Sequence, residues 1–209
     1  DYERSDQSNV SPEQKMLLLK HYQSVVINGA LLNDDEKNKL RKIDTELAKL
    51  SLSFNENILA ESNSYILHLT NQDDLLGLPS FAIEAAREEA ISRDLDGWVI
   101  TLDYPSYVPF VTYSEIRDLR KKMSIAFGAK ACQQNEFNNE ENVKNIVKLR
   151  HQRAQLLGYE SHAHFVLQER MAGKPALVNN FLEDLLNKAK PAAIKEFEEV
   201  RNQPQVDLN

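Results

Sequence analysis

Residues 30–59 read ALLNDDEKNKLRKIDTELAKLSLSFNENIL, and the order of polar and apolar residues in this run decides the fold class. Asn33 can cap a helix, and Glu36, three residues on, can answer it in a capping box in which each side chain bonds the other residue's backbone N–H. Apolar residues follow at Leu40, Ile43, Leu47, Leu50, Phe54 and Ile58. Their steps alternate between three and four, which places them on one side of a helix and makes a coiled-coil-like seam. Such a stripe reads as a core-facing surface rather than a binding groove.

Upstream, Ser11-Pro12-Glu13-Gln14 is a second helix start. Ser11 can cap, Pro12 suits the first helical position and Gln14 closes the box. The helix is expected over residues 12–28, ended by Gly29, with Met16, Leu19, Tyr22 and Val26 on a buried face. The short link of residues 29–32 then makes the two helices an antiparallel hairpin.

Downstream, residues 64–70 (SYILHLT) and 97–104 (GWVITLDY) read as short strands. A helix begins at Leu78-Pro79-Ser80 and reaches Arg93. The two strands belong either to a βαβ unit or to pairings with other elements. Pro105 and Pro109 mark residues 103–112 as a loop. Thr112 and Glu115 form another capping box, opening a helix over 113–133 that buries Ile116, Leu119, Met123 and Phe127. Asn138 or Asn139 begins a helix to Leu157, stopped by Gly158. Ser161 caps a shorter helix to Met171, ended by Gly173 and Pro175. A last helix begins near Ala176 and buries Leu177, Phe181, Leu182, Leu185 and Leu186, with Pro191 kinking or ending it. Residues 1–10 read as a loose lead-in, 11–201 as the helical region and 202–209 as a loop or truncated tail. The expected fold is mainly α: a helical hairpin and multi-helix domain with a minor two-strand β element.

Composition agrees. Only 6 of 209 residues are glycine, few for a strand-rich fold. A hydrophobic share of 42% and a charged share of 27% are ordinary for a globular chain able to bury its own core. The net charge of −7 argues against a nucleic-acid partner. No apolar run approaches the roughly 18–20 residues of a membrane span. The lone Cys132 cannot form an internal disulfide. This fits a reducing compartment, and the cytoplasm is the expected location, with the periplasm left open because many periplasmic proteins also lack disulfides. No secretory leader is apparent, and a first residue of Asp1 reads as the mark of a chain processed or cut from something longer.

The chemistry-bearing residues yield no catalytic, cofactor-binding or metal assignment. His162 and His164 are two apart, so on a helix their rings point about 200° away from each other. A helical metal site needs spacing of three or four. Cys132 has no nearby histidine to activate it and reads as a buried or half-buried thiol. Asp34, Asp35 and Glu36, like Glu140 and Glu141, suit the positive end of a helix dipole. Arg117, Arg120, Lys121 and Lys122 read as a solvated basic face. Arg150 and Arg153 flank an apolar helix face and are candidates for buried or inter-lobe ion pairs. No Gly-x-Ser-x-Gly elbow, phosphate-cradling loop or His-Glu-x-x-His occurs.

Several stretches together resemble the thimet oligopeptidase family of zinc metallopeptidases, in its oligopeptidase A and peptidyl-dipeptidase branches. They are the Ser11-Pro12-Glu13-Gln14 start, GALLNDDEKNKLRKIDTELAKLSLSFNENIL, DLLGLP, GWVITL, EIRDLRKK, LRHQRAQLLGYESHAHFVLQERMAGKP and FLEDLL. The resemblance implies an almost wholly helical, two-lobed enzyme around a deep channel. In that family, zinc is held by the two histidines of His-Glu-x-x-His and a further Glu, and the motif Glu activates the zinc-bound water. That machinery lies C-terminal to the region resembled here, so no catalytic or metal residue carries over to any position of this chain. The implied role is a non-catalytic N-terminal part of a peptidase acting on short peptides, forming part of the channel wall. Zinc and substrate would then belong to the parent enzyme, and this part alone should be inactive. The competing readings are a stand-alone helical interaction module and an enzyme acting through dispersed carboxylates. Its implied partners are peptide substrates and the missing catalytic region. With that region missing, the apolar stripe of the last helix invites weak self-association.

Overall fold

The computed structural model describes residues 10–203. The expected lead-in therefore falls outside the described residues up to residue 9, and the expected tail from residue 204 onward. Eight α-helices and two short strands follow in the order α1 (Pro12–Ile27), α2 (Asp34–Ser64), β1 (Ile66–Leu69), α3 (Ser80–Ser92), β2 (Trp98–Thr101), α4 (Tyr104–Tyr113), α5 (Arg117–Gly128), α6 (Glu140–Leu156), α7 (His162–Leu167) and α8 (Pro175–Arg201). The fold is mainly α. The chain divides into two compact units, one made of residues up to 43 and from 150 onward, the other of residues 44–149.

In the first unit both capping boxes form. Ser11 Oγ accepts from the Gln14 N–H at 3.3 Å while Gln14 Oε1 accepts from the Ser11 N–H at 2.9 Å. Asn33 Oδ1 accepts from the Glu36 N–H at 2.9 Å and Glu36 returns the bond to the Asn33 N–H at 3.0 Å. Between these helices Gly29 takes φ 85, a left-handed conformation open to glycine. It lies so close to α2 that a Cβ there would stand 2.6 Å from Leu40 Cδ2.

The buried face expected on α1 does not exist: none of its residues is buried, Met16 is exposed, and Leu19, Tyr22 and Val26 are only half-buried. α8 departs in the same way. It has no buried residue, and Leu177, Phe181, Leu182, Leu185 and Leu186 are all exposed. Their spacing correctly marks an amphipathic helix, but nothing among the described residues covers it. The helix also continues through Pro191 to Arg201 instead of ending there. Proline costs the ladder one N–H, here the bond to Asn187, and a 27-residue helix retains its others. α7 stops at Leu167, short of Met171, because residues 168–173 turn back on themselves through bonds from Arg170 N to Leu167 O and from Gly173 N to Arg170 O, both 3.0 Å.

In the second unit the two strands pair with each other, antiparallel, with Ile66 opposite Thr101 and Leu69 opposite Trp98. Neither a parallel βαβ unit nor a remote pairing is present for them; α3 lies in the connection between them. Leu67, Leu69, Ile100 and Leu102 join Leu75, Leu78, Ala86, Phe110, Met123 and Ala126 in one core.

The loop expected over residues 103–112 is mostly helix. Pro105 lies in the first turn of α4, where its missing N–H would have had no partner, and Pro109 forfeits only the bond to the Pro105 carbonyl. Thr112 is consequently inside α4 and caps nothing. α5 starts later, at Arg117, where Ile116 makes no side-chain cap. The break between them is held instead by the Glu115 N–H on the Leu76 carbonyl at 2.8 Å and by Arg120 Nη1 on the Ser114 carbonyl at 2.6 Å. α5 ends at Gly128, before residue 133, because Ala131 turns to φ 54 and its carbonyl accepts the Asn139 N–H at 2.7 Å.

Gly97 takes φ 84 where the chain enters β2, and a Cβ there would lie 2.3 Å from the Leu69 carbonyl oxygen. That oxygen is backbone inside the strand pair and cannot step aside, whereas the Leu40 methyl facing Gly29 can rotate. Urea unfolding should show Gly97→Ala losing about 3 kcal/mol or more and Gly29→Ala about 1–2 kcal/mol, the cost of a left-handed alanine. Equal losses would mean that the close approach at Gly97 does not hold the strands in register.

Candidate functional site

The histidines lie in the first turn of α7, where Ser161 caps by accepting from the His164 N–H at 3.4 Å. Their rings enter different surroundings, as the spacing predicts. His164 Nδ1 is 2.9 Å from Ser161 Oγ, and its Nε2 is 3.5 Å from a Glu160 carboxylate oxygen. His162 stacks on Phe165 with ring centroids 6.1 Å apart, and its Nδ1 is buried without a hydrogen-bond partner. Among the described residues no group of three His, Cys, Asp or Glu could hold a metal ion.

Arg153 is half-buried and sits over the Phe165 ring, 5.1 Å from its centroid, while Tyr159 meets the same ring edge-on at 5.3 Å. Arg150 is exposed. Burial and the two guanidinium charges hold the His162 pKa below its ordinary value. An aromatic ring shared by a histidine and an arginine organises this corner. The sequence signal for it is Phe165, three residues beyond His162 on the helix.

Cys132 corrects an expectation. It is exposed, in the turn that follows α5, rather than a buried or half-buried thiol on a helix. It lies on an apolar groove of about 420 Å³ with Phe54, Ile58 and Val143, and no histidine lines that groove. Beside it, side-chain amides tie α2 to the start of α6. Asn139, 2% exposed, donates to the Phe54 carbonyl at 2.9 Å and accepts from Asn57 Nδ2 at 2.9 Å and Asn142 Nδ2 at 2.8 Å. The buried Glu61 carboxylate receives Asn135 Nδ2 at 3.1 Å on both oxygens.

The acidic pairs occupy first turns as expected, Asp34, Asp35 and Glu36 on α2 and Glu140 and Glu141 on α6. Lys144 binds Glu140 at 2.7 Å and Glu141 at 2.9 Å, which lowers the Glu140 pKa and raises that of the lysine. The pairs are exposed, so they count for little in stability. In the basic run on α5, Arg117, Lys121 and Lys122 are exposed, while Arg120 is half-buried against the Ser114 carbonyl.

The apolar face of α8 stands open among the described residues. Phe181 is 64% exposed, Leu182 53%, Leu185 50% and Leu186 57%, and Ile194, Phe197 and Val200 continue the stripe at similar exposure. Single exposed apolar residues are ordinary, but a stripe this long on one helix marks an interaction surface. Among the described residues, no helix is long and apolar enough to cross a membrane.

Comparison with known proteins adds two findings. The family model described as peptidase family M3 matches residues 110–209. Oligopeptidase A of Salmonella typhimurium is 33% identical over 179 residues, 84% of this chain and 26% of that protein. A probable cytosolic oligopeptidase A of Arabidopsis thaliana is 29% identical over 207 residues, 96% of this chain and 29% of that protein. A dipeptidyl carboxypeptidase of Escherichia coli is 27% identical over 201 residues, 96% of this chain and 30% of that protein. The chain thus spans between a quarter and a third of the length of these curated relatives.

The His162 corner makes a pH prediction. The folded chain holds this proton less tightly than the unfolded chain, so His162 contributes stability above its unfolded pKa of about 6.5, lost as the pH falls through the lower folded value. Titration of the ring proton resonances should place its midpoint below about 6.5, and Arg150→Ser should move it upward. A midpoint at the ordinary value, or one indifferent to Arg150→Ser, would contradict the arrangement.

Proposed function

The chain belongs to peptidase family M3, the thimet oligopeptidase family, and on that premise we propose that it is a non-catalytic N-terminal part of a zinc-dependent oligopeptidase that hydrolyses short peptides. In this reading its helices form part of the wall of the substrate channel, and the enzyme works in the cytoplasm. The carrying observation is the match to oligopeptidase A, which takes in 84% of this chain but 26% of the relative.

The residues described here do not fit a zinc centre. No trio of candidate ligands stands together, and His162 and His164 turn to different neighbours. The metal and the group that activates water are therefore assigned to other residues of the longer enzyme. The exposed face of α8 has a natural place in the same scheme, as the surface that packs against the catalytic region. In the isolated chain that face is open to a second copy.

Two experiments test the reading. The purified chain supplied with zinc should cleave fluorogenic peptides no faster than buffer, and reading the coding sequence on either side should reveal a downstream His-Glu-x-x-His. Chelator-sensitive cleavage by the chain alone would overturn the non-catalytic assignment. A longer reading frame without the motif would favour a helical interaction module instead. The α8 proposal has its own readout. Sedimentation coefficients should rise with concentration for the isolated chain, and Leu182→Asp with Leu186→Asp should abolish the rise. Since both side chains are more than half exposed, the unfolding free energy should change by no more than about 0.5 kcal/mol.

A further inference from the structure

A cavity of about 260 Å³ opens between α3, β2 and the start of α4. Its floor is apolar, made of Ala86, Ile100 and Phe110, all buried. Glu89, Asp103 and Ser106 supply polar groups to its lining, and no lysine or arginine lines it.

Each of these polar groups has acceptor capacity left over. Arg93 binds Glu89 through Nε at 2.7 Å and Nη2 at 2.6 Å, both on Oε1, so its bonds leave Oε2 open. Asp103 is the N-cap residue of α4, yet its carboxylate caps nothing. Pro105 has no N–H to offer, and the Ser106 N–H goes to the Asp103 backbone carbonyl at 3.0 Å. The carboxylate instead takes the Thr101 hydroxyl on Oδ2 at 3.2 Å, a bond that leaves Oδ1 open. Ser106 Oγ accepts the Thr101 N–H at 3.0 Å, one of its two lone pairs.

An anion entering this cavity would meet two carboxylates, and a wholly apolar guest would strip them of water without replacing its hydrogen bonds. A cation with several donors on an apolar stem meets neither objection, because the stem covers the floor and the head group stays with the acceptors. The helix ends pull in opposite directions. Glu89 lies in the last turn of α3, whose carbonyls favour a cation, while the N-terminus of α4 disfavours one. The full charge of Asp103 outweighs the roughly half charge of that terminus. The volume suits one side chain rather than a drug-sized ligand, for which pockets run to about 300–1,000 Å³.

We propose that this cavity binds a primary alkylammonium group, the side chain of a lysine in a bound peptide. The proposal stands independently of the peptidase reading, because its readout is binding and not cleavage. The test is a ¹H–¹⁵N titration of the chain with n-butylammonium chloride, sodium butyrate, n-butanol and N-acetyl-lysine-N-methylamide. The ammonium and the lysine derivative should give saturable shifts at Ala85, Thr101 and Ser106, and butyrate and butanol should not. Asp103→Asn and Glu89→Gln, each checked for an unchanged spectrum elsewhere, should weaken binding at least fivefold. Glu89→Gln guards against loss of the fold, since that side chain bonds only along its own helix. Absence of saturable shifts, equal response to butanol or butyrate, or unchanged affinity in both variants would overturn the site. Binding of n-butylammonium without the lysine derivative would overturn the assignment to lysine.

Discussion

Four opposed residue pairs, from Ile66 and Thr101 to Leu69 and Trp98, are the constraint on which the unit of residues 44–149 depends. A two-strand ladder is marginal by itself in water. Here it persists because the strand residues are taken out of solvent: Leu67 and Leu69 are 3% exposed, Ile100 2% and Val99 0%. α3, α4 and α5 contribute Ala86, Phe110, Met123 and Ala126 to the same core, and Tyr107 stacks on Phe127 at 4.0 Å beside it. A one-residue shift of β1 would turn Leu67 and Leu69 to the opposite face and bring the exposed His68 to the core side, which is why so short a pairing can be specific.

A different device ties the second half of α2 to the chain around residues 131–142 of the same unit. Asn57, Asn139, Asn142 and Ser53 exchange side-chain hydrogen bonds, and Asn135 attends the buried Glu61 carboxylate. Such groups are costly unless satisfied, and satisfied they discriminate sharply between one arrangement and its neighbours. Apolar packing at the strand pair and amide bonding beside α2 thus divide the work of fixing this unit.

The helix starts were legible because capping boxes are local chemistry. Ser11 with Gln14 and Asn33 with Glu36 need only the few residues between them. The departures have two causes, prolines that a helix tolerates and distant atoms that claim a group the local pattern assigns elsewhere. Pro105 and Pro109 look like breakers of regular structure, but α4 is short enough that one proline sits in its first turn and the other sacrifices a single bond. Thr112 and Glu115 have the spacing of a box, yet the Glu115 N–H is claimed by the Leu76 carbonyl, from a remote part of the chain. The histidine geometry was legible from spacing alone. The stacking of His162 and Arg153 on Phe165 was not, because it joins α6 to α7 across a turn. The cavity beside β2 was likewise invisible, since its acceptors come from Glu89, Asp103 and Ser106 on elements that meet only in three dimensions.

The contrast between α8 and the strand pair sharpens what a hydrophobic period means. An amphipathic pattern records that a face is written to be buried; it carries no information on which atoms do the burying. In residues 44–149 the covering elements are present, and the pattern and the burial agree. On α8 the pattern is as clear, but every large side chain of the stripe stays at least half exposed. What holds this helix together is therefore mostly local: its backbone ladder, Pro175 in the first turn, and pairs such as Lys188 with Asp184 and Arg201 with Glu198. Each such exposed pair adds only a few tenths of a kcal/mol, whereas helices in proteins owe most of their stability to tertiary packing of an apolar face. A sequence that keeps a wide apolar stripe in spite of that cost is one whose stripe is used.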